Sequence, residues 1–170
     1  MSADDALAWG MSGPPLRATG QPSDVRRDAP YLAYAALDFD VPVGETGDDF
    51  DRLLVVIEEV RQSLEMIEQC RKLLVSLGPG AILADGFDSA IGVDPIQLPA
   101  GEAVATVESS TGELAFWVVA DGSSCPLRVR CRAPSFFHAQ AMQSLMIGAR
   151  LDDLMPTAAL LHLVSGECDR

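Results

Sequence analysis

The side chains best suited to chemistry are four cysteines and two histidines. Cys125 and Cys131 lie six residues apart in an extended run, which places them on one face but about 20 Å from each other. They cannot share a metal ion at that distance, and the sequence contains no Cys-x-x-Cys pair. We therefore expect no zinc or iron–sulfur site built from this chain alone.

The other two thiols also fit roles outside catalysis. Cys70 falls in the last turns of a predicted helix, where a thiol usually packs as a small apolar group. Cys168 is flanked by Glu167 and Asp169, and these negative charges disfavour the thiolate that a nucleophile requires. Neither cysteine is therefore predicted to be catalytic.

The two histidines have no partners in the sequence that would complete a hydrolase. His138 falls in the first turn of a predicted helix, where the helix dipole disfavours the imidazolium form. His162 lies within an apolar run, which is typical of a hydrogen-bonded core histidine. The sequence has no Gly-x-Ser-x-Gly or Walker-type loop. A stand-alone hydrolase around His138 would need a convergent serine and acid that the sequence does not identify.

Charged residues occur in two arrangements that have simple explanations. The acidic pairs Glu58-Glu59 and Asp152-Asp153 lie on predicted helices, where neighbours point about 100° apart, so a solvated face is expected rather than a catalytic dyad. Arg128, Arg130 and Arg132 alternate along one predicted strand and therefore share one face. This row could pair with acids of the preceding connector or with an anionic neighbour.

The composition describes an acidic globular protein. Twenty-five acidic residues against twelve lysines and arginines give a net charge of −13. A field of this sign repels phosphate, so nucleic acid and anionic lipid are disfavoured as direct partners. No segment approaches the ~18 apolar residues of a membrane span, and the first residues lack the basic and apolar regions of a signal peptide. We expect a cytoplasmic protein that reaches a membrane only through partners.

A long helix from about Asp49 to Leu77 is the clearest predicted element. Acidic residues from Asp48 onward favour its start, and Gly78-Pro79 ends it. Apolar residues recur along it in steps of three and four, and they form one stripe: Leu53, Ile57, Val60, Leu64, Ile67 and Leu74. The spacing favours antiparallel packing on another long helix, from the 136–164 region or from another chain.

The rest of the sequence predicts an α+β fold. Strand-like runs at 103–108, 113–120 and 126–132 are joined by turn residues, which indicates an antiparallel three-stranded meander. A helix with Ser135 as its N-cap follows, and a last helix covers about 151–164. Residues 78–101 look like an irregular connector. We expect residues 1–49 to be an irregular Gly/Pro-rich segment that forms one domain with residues 50–170.

The charged ending from Gly166 to Arg170 follows an apolar run. Termini that contact no other part of a protein are usually disordered and have few distinctive residues, whereas this one carries acids, a thiol and a base. We therefore predict a docked tail that points charged groups into a site or an interface.

Five segments, in order, resemble the D subunit family of the proton-pumping NADH:quinone oxidoreductase, respiratory complex I. The family has a Gly-Pro-x-Leu-Arg-x-Ser-Gly segment near the first of them and a Gly-Glu-Val-Asp-Arg ending that resembles the last. The segments are 10–20, 27–48, 51–63, 112–136 and 166–170. The resemblance extends from about Leu7 to Arg170.

The resemblance implies a fold and a site. The family shares the fold of the large subunit of nickel–iron hydrogenases, a mainly helical bundle with a small antiparallel sheet. Its members lack the hydrogenase metal ligands, and the vacated space forms part of the quinone pocket beside an iron–sulfur cluster of a neighbouring subunit. By this resemblance the quinone-pocket residues are Gly166, Glu167, Cys168, Asp169 and Arg170. The supporting polar positions are Arg17, Arg132 and Asp153.

The resemblance also implies that this chain holds no catalytic residue, metal or cofactor of its own. Quinone would be the substrate of the whole assembly, and NAD(H) and iron–sulfur clusters would lie on partner subunits. An iron–sulfur subunit would be the nearest partner, on the cytoplasmic side of the membrane. Oxidoreductase activity is expected only within such a complex.

Several departures from the family leave two interpretations open. The chain resembles only the C-terminal part, without the part that brings the quinone-headgroup histidine and tyrosine, and the 78–101 connector replaces a further helix. Val56, Thr111 and Cys125 stand where the family usually has basic residues, and Cys168 where it has valine. The chain is either a component of the D subunit type, completed by a separate N-terminal piece, or a non-catalytic relative acting as a scaffold or assembly-associated protein.

Overall fold

The structure is a computed structural model that describes residues 1–80 and 97–169. Most of the predicted 78–101 connector, as well as Arg170, lies outside these residues. The described helices are α1 (Ala3–Ala8), α2 (Gly13–Arg17), α3 (Val25–Asp28), α4 (Asp49–Leu77), α5 (Pro134–Met146), α6 (Leu154–Leu160) and α7 (Ser165–Cys168). The strands are β1 (Gly101–Ser109), β2 (Gly112–Ala120) and β3 (Arg128–Arg132). This content confirms the predicted α+β class.

Helix α4 has the predicted bounds. The Asp48 carboxylate caps it by accepting a hydrogen bond from the Asp51 N–H at 2.8 Å. Gly78 ends it with a φ of +68°, a left-handed conformation that glycine adopts readily. The helix therefore starts and stops where its sequence signals are.

The apolar stripe of α4 is exposed, however, whereas Arg52, Val55, Gln62 and Met66 are buried. The buried polar residues serve the preceding loop: Arg52 donates to the Gly47 carbonyl at 3.0 Å, and Gln62 accepts from the Asp40 N–H at 3.0 Å. The stripe consists of Leu53, Ile57, Val60, Leu64, Ile67 and Leu74, each more than 40% exposed. An exposed row of large apolar side chains along one helix is typical of an interaction surface.

The sheet is the predicted antiparallel meander, in the order β1-β2-β3. β1 and β2 are joined by a tight turn that pairs Ser109 with Gly112, and β2 pairs with β3 from Ala115–Arg132 to Val119–Arg128. This register puts Arg128, Arg130 and Arg132 on one face, as predicted.

Two small apolar clusters hold the elements together. Ala6, Met11, Leu16, Ala141 and Leu161 join α1, α2, α5 and the end of α6. The second cluster packs the 37–39 loop on α4 and consists of Leu37, Phe39 and Met66, with Cys70 at its border. The expected packing role of Cys70 is thus confirmed.

Three predictions about the elements need correction. Residues 1–49 are less irregular than expected, because they form α1, α2 and α3. Ser135 is not an N-cap: α5 begins at Pro134, with Ala133 in the capping position. The last helix ends at Leu160 instead of about 164, because the chain turns at His162, whose φ is +52°.

Two glycines bring the N-terminal segment against the sheet. A Cβ on Gly13 would lie 2.4 Å from the Gly112 Cα, and the φ of Gly13 is +67°. A side chain at either position would force the two backbones apart. The close approach fixes α2 against the turn between β1 and β2.

Among residues 1–80 and 97–169, no helix combines the length and the apolar character needed to cross a membrane.

Candidate functional site

The C-terminal tail is docked through Glu167, in the short helix α7. The Thr111 hydroxyl donates to the Glu167 carboxylate, at 3.0 and 3.1 Å from its two oxygens. The Ser135 N–H donates to the same carboxylate at 3.2 Å, and so does the Ser135 hydroxyl. Hydrogen bonds to an ionised group are about twice as strong as neutral ones, so this contact anchors the tail.

Ser135 and Thr111 are buried and connect the tail to two different elements. The Ser135 hydroxyl also accepts a hydrogen bond from the Val164 N–H at 3.1 Å, which fixes the chain just before α7. The Thr111 hydroxyl lies 2.8 Å from that of Ser109, in the turn between β1 and β2. The tail is therefore held at the junction of the sheet and α5.

The other predicted tail residues are less enclosed. Gly166 and Asp169 are exposed, Cys168 is half-buried, and Arg170 lies outside the described residues. Only Glu167 of this segment lines a described cavity. Glu167 supplies the carboxylate that anchors the tail.

A groove of about 550 Å³ runs beside the docked tail, and we call it the edge groove. It is lined by the continuous run Arg128–Ala133, by Phe136 and Phe137 of α5, and by Glu167. The groove combines a basic strand with two aromatic rings and the tail carboxylate.

Arg132 forms one end of the edge groove and ties three elements together. Its guanidinium donates to the Glu113 and Gly10 carbonyls, both at 2.8 Å, and lies 4.7 Å from the centre of the Phe137 ring. These contacts join β3, β2, the N-terminal segment and α5. Arg132 is a supporting polar residue near the tail, and its guanidinium is committed to protein partners.

Arg17 lies in a different place, at the centre of a buried ion cluster. Its guanidinium is 2.6 Å from Glu59 on α4 and 2.8 Å from Glu108 at the end of β1. It also donates to the Ser23 carbonyl at 2.8 Å and lies 3.7 Å from Asp24. The Arg17 side chain is only 1% exposed, so these partners replace water almost completely.

Burial sets the pKa values in this cluster. Burial raises the pKa of Glu108 above its usual value, although the charge of Arg17 and a hydrogen bond from it act in the opposite direction. Burial alone would lower the pKa of Arg17, but Glu59 and Glu108 outweigh that cost, and the pKa is raised. Arg17 is therefore held as a cation whose charge the cluster needs.

A second, polar cavity of about 340 Å³ lies beside this cluster. Arg17, Glu59 and Glu108 line it, together with Val56 and His162. Val56 is one of the positions where the resemblance has a basic residue, so the cavity carries one positive charge fewer than the family pattern implies.

His138 is a buried link between distant segments, not a catalytic base. Its Nδ1 lies 3.1 Å from the Leu161 carbonyl oxygen, and its Nε2 lies 3.1 Å from the Ser12 carbonyl oxygen and 3.4 Å from the Ser12 nitrogen. A neutral ring carries one N–H, so it donates either from Nδ1 to Leu161 or from Nε2 to Ser12. Burial lowers the pKa of His138 to about 4, so the ring is neutral near pH 7.

The structure separates the predicted site residues into groups. Glu167 and Arg132 border the edge groove, whereas Arg17 borders the polar cavity. Asp153 is exposed at the N-terminus of α6 and lines neither cavity. Among residues 1–80 and 97–169, no group of three or more histidine, cysteine and acidic side chains is placed to hold a metal ion.

The residues that anchor the tail were not identified from the sequence. Thr111 and Ser135 are 56 and 32 residues from Glu167, and nothing in their local sequence indicates a common partner. Thr111 stands where the resemblance has lysine, and its hydroxyl contacts the tail carboxylate.

Comparisons with known proteins cover the whole chain. The family model described as the 49 Kd subunit of respiratory-chain NADH dehydrogenase matches residues 1–170. The D subunit of the NADH-quinone oxidoreductase of Pelobacter propionicus is 40% identical over all of this chain and 46% of its own length. The corresponding subunit of Geotalea uraniireducens is also 40% identical over all of this chain, which covers 48% of that protein.

One solved structure is also similar in three dimensions. A chain of the membrane-bound sulfane sulfur reductase, an archaeal respiratory membrane complex, superimposes with a TM-score of 0.88 at 39% sequence identity. The match covers 100% of this chain and 45% of that one. The chain thus spans about half the length of the relatives that it matches.

Proposed function

Because the chain belongs to the family of the 49-kDa subunit of respiratory-chain NADH dehydrogenase, we propose that it works inside a quinone oxidoreductase assembly. It is a component of the D subunit type, and its docked tail contributes one side of the quinone pocket. The expected fold and family agree with the matches across all 170 residues. The activity, substrate and partners of the assembly belong to this proposal.

The observation that carries the proposal is the anchoring of Glu167 by Thr111 and Ser135. A carboxylate with this many donors holds the tail in one position beside a cavity. Quinone-sized ligands bind in largely apolar cavities with a few fixed polar groups, and such groups require rigid support. The Glu167 contact provides that support from the sheet and from α5.

In the reaction, this chain positions the tail residues and encloses the quinone pocket on one side. Iron–sulfur clusters and NAD(H) on partner subunits supply the electron-transfer chemistry. The residues of this chain hold the tail, line the cavity and exclude water. The site assignment covers Gly166, Glu167, Cys168, Asp169 and Arg170, supported by Arg132. The described contacts of Arg17 favour a role in stability, and Asp153 has no described contact that supports a role at the pocket.

A second candidate is a non-catalytic relative that acts as a scaffold or assembly factor. The neutral residues Val56 and Thr111 favour it, because the family pattern is basic at both positions. Val56 lines the polar cavity beside Arg17, and Thr111 contacts Glu167. Both candidates use the exposed stripe of α4 as a contact surface. They differ in whether electrons pass to quinone in the assembly.

The test is to purify the tagged chain from its own cells and to identify the proteins that accompany it. Iron–sulfur and membrane subunits of a quinone oxidoreductase, together with quinone reduction, are the expected result. Those subunits without quinone reduction would favour the scaffold. Recovery of the chain alone would contradict both candidates.

Glu167→Gln is expected to lower quinone reduction by the assembly about tenfold, because a neutral amide accepts weaker hydrogen bonds than a carboxylate. Hydrogen exchange of residues 164–169 should become faster in the same variant. The matched control is Glu65→Gln, since Glu65 is exposed on α4 and its described ion pair is with Arg61. Faster hydrogen exchange of the tail with unchanged quinone reduction would show that the position of the tail does not affect the quinone pocket.

A further inference from the structure

Two arginines on β3 lack an acidic partner among residues 1–80 and 97–169, in a chain whose net charge is −13. Every other described lysine and arginine lies within 4.0 Å of a carboxylate. Among the described residues, only Arg128 and Arg130 have no such neighbour. Two exposed guanidinium groups on one strand can each bind a carboxylate, so they offer a site for an anionic partner.

These arginines lie on a free edge of the sheet. β3 pairs with β2 on one side, and no described strand pairs with its other side. Arg128 and Arg130 are exposed on the same face, and the Arg128 guanidinium lies 5.7 Å from the Trp117 ring. An edge strand presents a row of backbone donors and acceptors that a further strand can pair with.

The edge groove has the shape that an added strand requires. Six consecutive residues, 128–133, line it, so the groove follows the backbone of β3. Phe136 is 44% exposed on its opposite wall and offers an apolar contact to alternate side chains of an extended segment. The Glu167 carboxylate is also part of the groove lining, but Thr111 and Ser135 already donate to it.

We propose that the free edge of β3 binds an extended acidic segment of a neighbouring subunit as a fourth strand. Carboxylates two residues apart in that segment project from the same face and match the spacing of Arg128 and Arg130. This inference deepens the proposed function and rests on it, because the segment is assigned to a subunit of the same assembly.

Other occupants fit the edge less well. Nucleic acid and anionic lipid meet a chain that is strongly acidic overall. A second copy of this chain, paired through β3, would bring its own arginines against Arg128 and Arg130. An acidic extended segment satisfies both the charges of these arginines and the backbone groups of the edge.

The test is site-specific photo-crosslinking in the native assembly. Val129→p-benzoylphenylalanine places the crosslinker in the edge groove, since Val129 is 51% exposed there. The matched control is Val104→p-benzoylphenylalanine, because Val104 is 68% exposed on β1, at the opposite edge. Mass spectrometry of the product from position 129 is expected to identify an acidic segment of another protein, absent from the position-104 product.

Charge reversal then tests the pairing itself. The double variant Arg128→Glu, Arg130→Glu is expected to lower the crosslinking yield from position 129 about tenfold. Changing two acids of the identified segment to lysine should restore the yield. Arg150→Glu is the control, because Arg150 is exposed and pairs with its neighbour Asp152 at 3.4 Å. A yield that is unaffected by the double reversal would overturn the proposal.

The outcomes separate this inference from the proposed function. A crosslink to an acidic segment of a protein unrelated to quinone oxidoreductases would support the β3 edge and contradict the assembly. An intact assembly without a crosslink from position 129 would overturn the inference and leave the function in place. A crosslink to nucleic acid, to lipid or within the same chain would overturn the inference. If neither a crosslink nor an assembly is found, both the inference and the proposed function are contradicted.

Discussion

Arg17→Met is expected to destabilise the chain by about 3–5 kcal/mol, because it leaves Glu59 and Glu108 without their cation. The Glu108 side chain is 4% exposed, so it cannot recover its hydration without local unfolding. The buried Asp24 keeps its ion pair with Arg26, at 2.6 Å. Methionine keeps the unbranched stem of arginine and much of its volume, which limits the cavity contribution to the loss. Urea unfolding of the purified chain measures the effect.

The control for this variant is Arg61→Met. Arg61 also contacts two acids, Glu58 and Glu65, but its side chain is 61% exposed, so water replaces those contacts. We expect its unfolding midpoint to stay within the error of the measurement. Equal losses of stability in the two variants would mean that burial does not increase the cost of removing an arginine from its ion pairs.

A second substitution in the Arg17→Met background identifies which acid carries the cost. Burial already raises the pKa of Glu108, and removing Arg17 raises it further. Glu108→Gln should therefore recover part of the lost stability in this background and little in the wild-type chain. The deficit of Arg17→Met should also shrink as the pH falls, because the folded variant then binds a proton at Glu108. Should Arg17→Met not fold, Arg17→Lys offers a milder version with the same order of effects.

This outcome bears on the role of Arg17. The resemblance placed it among the polar residues that support the quinone pocket, whereas its described contacts form a structural cluster between α2, α4 and β1. A large loss of stability would give Arg17 a structural role that does not depend on the quinone pocket.

Local sequence patterns predicted the elements well where the signals are local. The bounds of α4 follow from acids at its start and from Gly78 at its end. The meander follows from alternating apolar residues and from turn residues between the strands. The docking of the tail follows from its unusual charge content, but this reasoning could not identify its partners.

Sequence patterns failed where distant segments decide the outcome. The apolar stripe of α4 predicted packing on another helix, from the 136–164 region or from another chain, yet within the described residues the stripe is exposed and the helix turns Arg52 and Gln62 inward. The irregular segment before it has backbone groups that need hydrogen-bond partners, and these two side chains supply them. Likewise, the Ser135 hydroxyl donates a hydrogen bond to Glu167 instead of capping α5. Long-range polar contacts of this kind leave no periodic signal.

The second large effect concerns His138, and we expect the chain to lose about 3 kcal/mol of stability as the pH falls from 6.5 to 4. Burial lowers the pKa of His138 from 6.5 to about 4 in the folded chain. Between these values the unfolded chain binds a proton that the folded chain excludes, so unfolding becomes more favourable as the pH falls. Well above pH 6.5, from about pH 8, the ring is neutral in both states and contributes no pH dependence.

His138→Gln isolates this contribution from those of the many carboxylates. The variant is less stable at pH 8, because it disturbs the buried contacts to Ser12 and Leu161. The difference in unfolding free energy between wild type and variant should then narrow by about 3 kcal/mol from pH 6.5 to pH 4. His162→Gln serves as the control, since it also replaces an imidazole with an amide and retains His138. A constant difference between wild type and His138→Gln across this range would mean that the buried ring accepts a proton as easily as in the unfolded chain, and the neutral link between α5, Ser12 and Leu161 would have to be abandoned.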